Sequence, residues 1–368
     1  MLGSLDLFYF MSEVVDQHVL RLFRIEKRLG KGSYGVVFKA SNRVTGETVA
    51  IKKCFDCFNN RADAQRTYRE ISLLAGLTGH PHIVGLIDVM ESISGRDLYV
   101  ICEYMQSDLN AVIKARILEP IHVRYINYQL LTAVKFLHSA GVVHRDIKPG
   151  NILIDSDSSV KLCDFGLART LSISDTNLLT NYVATRWYRA PELLLGSSQY
   201  GFPVDMWAIG AIAGEMINGS QLLPGTSVIN QLERIIQITG WPDDSDIAAM
   251  PVSSERIAKL LKQVRSNISI KPLSELVPRA SVDALDYMRQ LLPFSPSKRA
   301  KACDILRHPF LIQFSTGNEP DCSIPVELTV ADSAPLEPDQ YRLILRRDLS
   351  LRERKRDENF ENALIMRA

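Results

Sequence analysis

The stretch His144-Arg145-Asp146-Ile147-Lys148-Pro149-Gly150-Asn151, followed by Asp164-Phe165-Gly166, decides how the chain is read. It comes after an amphipathic helical pattern at Val123 to Ser139 and puts five polar residues into eight positions, an odd content for a helix-to-strand connection. Two short strands are expected next, Asn151 to Ile154 and Val160 to Cys163, paired as a hairpin that leads into Asp164. Asn151 lies five positions after Asp146, and Asp164 thirteen after Asn151. One carboxylate able to take a proton and two hard oxygen ligands make a set that suits a magnesium ion and phosphoryl transfer. A polar loop that merely faces water would need no such order.

Upstream, Leu29-Gly30-Lys31-Gly32-Ser33-Tyr34-Gly35-Val36-Val37 carries G-x-G-x-x-G, where backbone amides can approach phosphates closely. The same spacing marks dinucleotide-binding turns, but those require a helix directly afterwards, and here β-branched strand residues follow. The run Val49-Ala50-Ile51-Lys52 closes an apolar strand in a lysine, and a helix over about Arg61 to Ala75 offers Glu70 as its partner. A lone strand lysine is ordinarily solvated; a facing carboxylate gives it a direction.

Composition bounds the class. The 368 residues are 46% hydrophobic and 23% charged, ordinary globular values that exclude a disordered tail or a fibre. Lys plus Arg number 43 against 42 Asp plus Glu, so a net charge of +1 gives no global field toward nucleic acid or anionic lipid. Six irregularly placed cysteines read as free thiols, and Cys54-x-x-Cys57 as a chance spacing. The start lacks a basic n-region and cleavage pattern, and the longest apolar stretch, Phe202 to Ile217, is broken by Asp205 and Glu215, so a buried helix explains it better than a membrane span. Valine- and isoleucine-rich strands with one helix fill 19–105, and long amphipathic helices dominate 106–314. The expected class is therefore α+β, with a small antiparallel β lobe and a large α-helical lobe, preceded by an extension at 1–18 and followed by a tail at 315–368 with a charged helix near Pro338 to Asn362.

Together these elements resemble the eukaryotic protein kinases over about 22–310. The resemblance implies ATP and Mg2+ as cofactors. It makes Asp146 the acceptor of the substrate hydroxyl proton, Lys148 the γ-phosphate contact, Asn151 and Asp164 the magnesium ligands, and Lys52, oriented by Glu70, the grip on the α and β phosphates. Residues 29–35 would cover the phosphates. Glu103 and Met105 would bind adenine where the lobes join, with Cys102 as the gatekeeper beside them. Asp108 would lie near the ribose, with Val37 and Ala50 above the base and Leu153 below it. Asp205 would anchor the catalytic loop, and Glu192 would pair with Arg299.

Thr180-Asn181-Tyr182, inside the activation segment 164–192, resembles the T-x-Y lip of the mitogen-activated protein (MAP) kinases, as does the insert at 240–278. The family would place Arg69, Arg145 and Arg169 around phospho-Thr180, and Arg186 and Arg189 around phospho-Tyr182. It implies monomeric action on protein substrates at Ser/Thr-Pro sites in the cytoplasm or nucleus, with no nucleic acid or membrane partner. Activation would come from an upstream dual-specificity kinase or from the chain itself, because Asp63-Ala64-Gln65-Arg66-Thr67-Tyr68-Arg69-Glu70-Ile71 looks most like the atypical self-activating branch of the extracellular-signal-regulated group. Asn181, Gly150 and an acidic docking patch reduced to Glu319 and Asp321 depart from the pattern. A cyclin-dependent-like kinase and an inert pseudokinase scaffold are the alternative readings.

Overall fold

Alternation along the strand Thr48–Cys54 organises the first half of the molecule. The computed structural model describes residues 15–32, 35–171, 185–197, 200–250, 252–331, 334 and 336–365, with side chains as far as 351. Contacts divide the chain into two units, one built from 15–79, 84–104 and 328–365, the other from 80–83 and 105–327.

In the first unit five antiparallel strands, β1 (Phe23–Gly32), β2 (Gly35–Asn42), β3 (Thr48–Cys54), β4 (Leu86–Glu91) and β5 (Leu98–Glu103), stand in the order β1-β2-β3-β5-β4. Because side chains alternate, Val49 and Ile51 join Phe38, Ala40, Tyr99 and Ile101 in one core cluster, while Leu98 and Val100 face a second. That second face is covered by α1 (Arg61–Leu77), which starts where Asn60 accepts a hydrogen bond from the Asp63 amide at 3.0 Å. Ala64, Tyr68 and Ile71, at helical spacing, are its buried stripe. Lys52 pairs in register with Val100, so it lies on the covered face.

The second unit rests on three helices, α2 (Pro120–Ser139), α3 (Pro203–Asn218) and α4 (Val282–Leu291). α3 is buried at every position from Val204 to Met216, Asp205 and Glu215 included, as its largely apolar run requires. Short strands lie beside them: β6 (Ser107–Asp108), β8 (Ile152–Ile154) and β9 (Val160–Leu162) form one sheet, and β7 (Val142–Val143) pairs with β10 (Arg169–Thr170). The hairpin expected after the polar loop is present, with Ile152 opposite Leu162.

The tail is shared between the units. Up to 327 it belongs with the second, where the amides of Cys322 and Val326 donate to Ser139 and to the Ala140 carbonyl. From 328 it belongs with the first, ending in α5 (Pro338–Ile365), whose Tyr341 and Leu345 are buried against the α1 cluster. The sequence suggests that Leu343, Ile344 and Leu345 all pack, but Leu343 is 62% exposed. At 100° per residue Leu343 and Leu345 cannot share a face, and Tyr341 and Leu345, four apart, claim the inner one.

Candidate active site

The predicted site residues are distributed over both units. In the first, β1 and β2 close with Gly32 opposite Gly35; Ser33 and Tyr34 lie outside the described residues. A Cβ at Gly35 would sit 2.1 Å from the Lys53 carbonyl oxygen, so only glycine fits there. At Gly30 and Gly32 a Cβ would meet nothing within 4 Å, leaving their backbone open to approach. Leu29 is 41% exposed on the same strand, and Lys31 is exposed beside it.

The β register brings further predicted residues onto one face: Val37 lies opposite Lys52, and Ala50 opposite Cys102. On that face the Lys52 ammonium makes an ion pair with Glu70 of α1. The Glu70 carboxylate fixes where the charge at the end of a flexible four-carbon stem is presented. Burial pushes the Cys102 thiol up to about 12, so it remains a compact neutral group. Glu103 ends β5, its carboxylate accepting the Gly85 amide at 3.0 Å.

In the second unit Met105 is buried, and Asp108 caps the helix Leu109–Ala115 by accepting the Ala111 amide at 2.9 Å. Leu153 of β8 pairs with Asp108. The polar loop is held from behind by Asp205 of α3, which is buried and accepts the amides of His144 (2.9 Å) and Arg145 (2.8 Å) and bonds the His138 ring at 3.0 Å. Burial alone would raise this carboxyl; the His138 bond, the two imidazoles and the Arg145 amide outweigh it and hold it below its usual value. His138 and the His144 ring, which contacts the Cys163 carbonyl at 3.0 Å, are positioning residues that sequence reasoning gave no role. His138 lies in an ordinary helical stripe that carries no signal of a loop elsewhere.

On this support three predicted residues converge. Lys148 Nζ donates to Asp146 Oδ2 at 2.6 Å, and Asn151 Nδ2 donates to the same oxygen at 3.1 Å and to the Asp146 carbonyl at 2.9 Å. With its nitrogen so engaged, Asn151 has its side-chain oxygen left as a ligand atom. The Cys163 amide donates to the Asn151 carbonyl at 3.0 Å, which brings Asp164 next to Asn151 despite their separation in sequence. Asp164 holds φ 65° and Arg145 φ 71°, left-handed conformations in side chains that must point somewhere particular. Among the described residues no three His, Cys, Asp or Glu side chains form a self-sufficient metal cage. An amide oxygen beside a carboxylate instead fits magnesium, which keeps water and substrate phosphates as its other ligands.

The arginines expected to hold the phosphate groups are placed in part. Arg145 and Arg169 both donate to the Leu167 carbonyl, at 2.9 and 3.4 Å, and so lie together. Arg69 is buried on α1 in the first unit. Arg186 opens and Arg189 follows the short helix Arg186–Tyr188, where Arg186 donates to the Thr226 carbonyl and Tyr188 to Glu215 at 2.6 Å. Thr180 and Tyr182 lie outside the described residues. Glu192 and Arg299 form the expected pair, two parallel bonds of 2.7 and 2.8 Å in a buried site.

Residues 23–311 match the protein kinase domain family. Across 95% of this chain and 96% of its own length, the extracellular signal-regulated kinase 2 of Dictyostelium discoideum is 46% identical. The mitogen-activated protein kinase 7 of Arabidopsis thaliana is 41% identical over 83% of each chain. This chain is a MAP kinase. Mitogen-activated protein kinase 15 of Xenopus laevis is 47% identical over 93% of the chain, which spans 60% of that relative's length. The kinase is therefore a Ser/Thr protein kinase with the two-lobed α+β fold, and its family acts on protein substrates with ATP and, typically, magnesium.

Proposed function

We propose that this kinase transfers the γ-phosphate of ATP to serine or threonine followed by proline. Asp146 takes the substrate hydroxyl proton, Lys148 steadies the phosphate being transferred, Asn151 and Asp164 hold Mg2+, and Lys52, aimed by Glu70, holds the α and β phosphates. The observation that carries this reading is the hydrogen-bonded set Asp146, Lys148 and Asn151 beside Asp164. A pocket offering no acceptor at the next substrate position favours proline, which has no amide hydrogen to satisfy.

Phosphorylation of Thr180 and Tyr182, by the chain itself or by a dual-specificity kinase, raises activity by adding charge for Arg69, Arg145, Arg169, Arg186 and Arg189 to hold. The kinase works as a monomer in the cytoplasm or nucleus. Basic docking peptides contribute little, because Glu319 already accepts the amides of Thr316 and Gly317 and Asp321 pairs with Lys135 at 2.7 Å. The test compares Ser-Pro and Ser-Ala peptides with purified protein, with mapping of its own phosphosites. Asp146→Asn should lose about 10²–10⁴-fold in kcat with ATP binding kept. Equal turnover of both peptides would remove the proline preference, and no turnover even after dual phosphorylation would favour the scaffold reading.

A further inference from the structure

The turn that follows β3 carries two thiols no step above uses. Cys54 ends β3, and Cys57 lies three residues on in the turn that leads toward α1. The Cys57 sulfur donates to the Cys54 carbonyl at 3.1 Å, and both cysteines are free. Cys57 is 2% exposed and belongs to the cluster with Ala64, Tyr68 and Ile71 of α1, while half-buried Cys54 packs against the same cluster. The helix they touch is the one that carries Glu70, and Lys52 is two residues before Cys54.

We propose that Cys54 and Cys57 form a reversible oxidative modification site, closed to a disulfide by hydroperoxides, which loosens α1 and so weakens the Lys52–Glu70 pair. The effect on turnover rests on the phosphate-transfer reading above; the modification does not. In the chemistry, the Cys57 thiolate attacks the outer peroxide oxygen, the O–O bond breaks, and the alcohol leaves with a proton, giving a sulfenic acid. The Cys54 sulfur then displaces the hydroxyl as water and forms the S–S bond, so two thiols and one hydroperoxide become a disulfide, an alcohol and water. The two sulfurs are differentiated for these roles. The neighbouring Cys54 thiol, more than the opposing burial, lowers Cys57 below an ordinary thiol, whereas its hydrogen bond with Cys57 and then burial raise Cys54. Bridging removes the Cys57 hydrogen bond to the Cys54 carbonyl and draws its sulfur away from Thr67, one helical turn before Glu70.

Trypsin releases both cysteines in one peptide, 54–61, which makes the test direct. The full chain is treated with hydrogen peroxide or tert-butyl hydroperoxide, alkylated and digested, with hydrogen exchange of 61–77 and peptide phosphorylation followed in parallel. The expected result is a 54–61 peptide lighter by two hydrogen atoms, faster exchange in α1, and turnover about fivefold to tenfold lower, all restored by dithiothreitol. Cys57→Ser and, separately, Cys54→Ser should keep reduced-state turnover and escape the loss. The proposal is overturned if the peptide stays reduced or goes to sulfinic acid, or if the disulfide forms with α1 exchange unchanged. Turnover loss in both serine variants would overturn it equally. Absence of turnover in reduced protein would instead count against the kinase reading, with mass and exchange still judging the disulfide.

Discussion

Asp164 and Arg145 show how chemistry and backbone are bound together at single positions. Asp and Asn tolerate the left-handed region, whereas other L residues there cost roughly 1–2 kcal/mol. Asp164→Asn is thus expected to abolish phosphate transfer with the melting temperature nearly unchanged, and Asp164→Ala to lose activity and some stability; calorimetry separates them. Asp205 gives a pH prediction. Its folded pKa is depressed, so its contribution to stability is full above the unfolded value and is lost as pH falls through the folded one. The stability gap between wild type and Asp205→Asn in urea should be widest at neutral pH and shrink below about pH 4. Residue types and spacings made it legible that Asp146, Asn151 and Asp164 lie together. The supports were less so, because His138 reaches Asp205 across 67 positions and no local pattern announces it.

At the scale of elements, the sequence pattern located α1 to α3 and the hairpin β8–β9 to within a few residues. α5 misled because its run Leu343, Ile344 and Leu345 is apolar throughout, and a continuous run does not say which side faces inward. Leu345→Ala should cost about 2–5 kcal/mol in chemical unfolding, since it leaves a cavity beside Tyr68 and Tyr341. Leu343→Ala, on the solvent side, should change stability by less than about 0.5 kcal/mol. Equal losses would mean that α5 packs on another face.

For the whole molecule, the change from strand-rich to helix-rich sequence near 105 was readable, because it needs only composition and period. That the tail's helix returns to the first unit is what the resemblance to MAP kinases implies rather than a local signal, since packing partners hundreds of positions away leave no local trace. A chain ending at 327 should lose the burial of Val330, Tyr341 and Leu345 against α1 and melt several degrees lower, with the first unit affected most in hydrogen exchange. Synthesis meets the same constraint. The ribosome emits the β strands early, yet Tyr341 follows Tyr104 by 341 − 104 = 237 residues. At about 5–20 residues per second that is a wait of roughly 12–50 s. During that interval α1 lacks part of its cover, so a nascent-chain chaperone has its natural client in the segment made first and finished last.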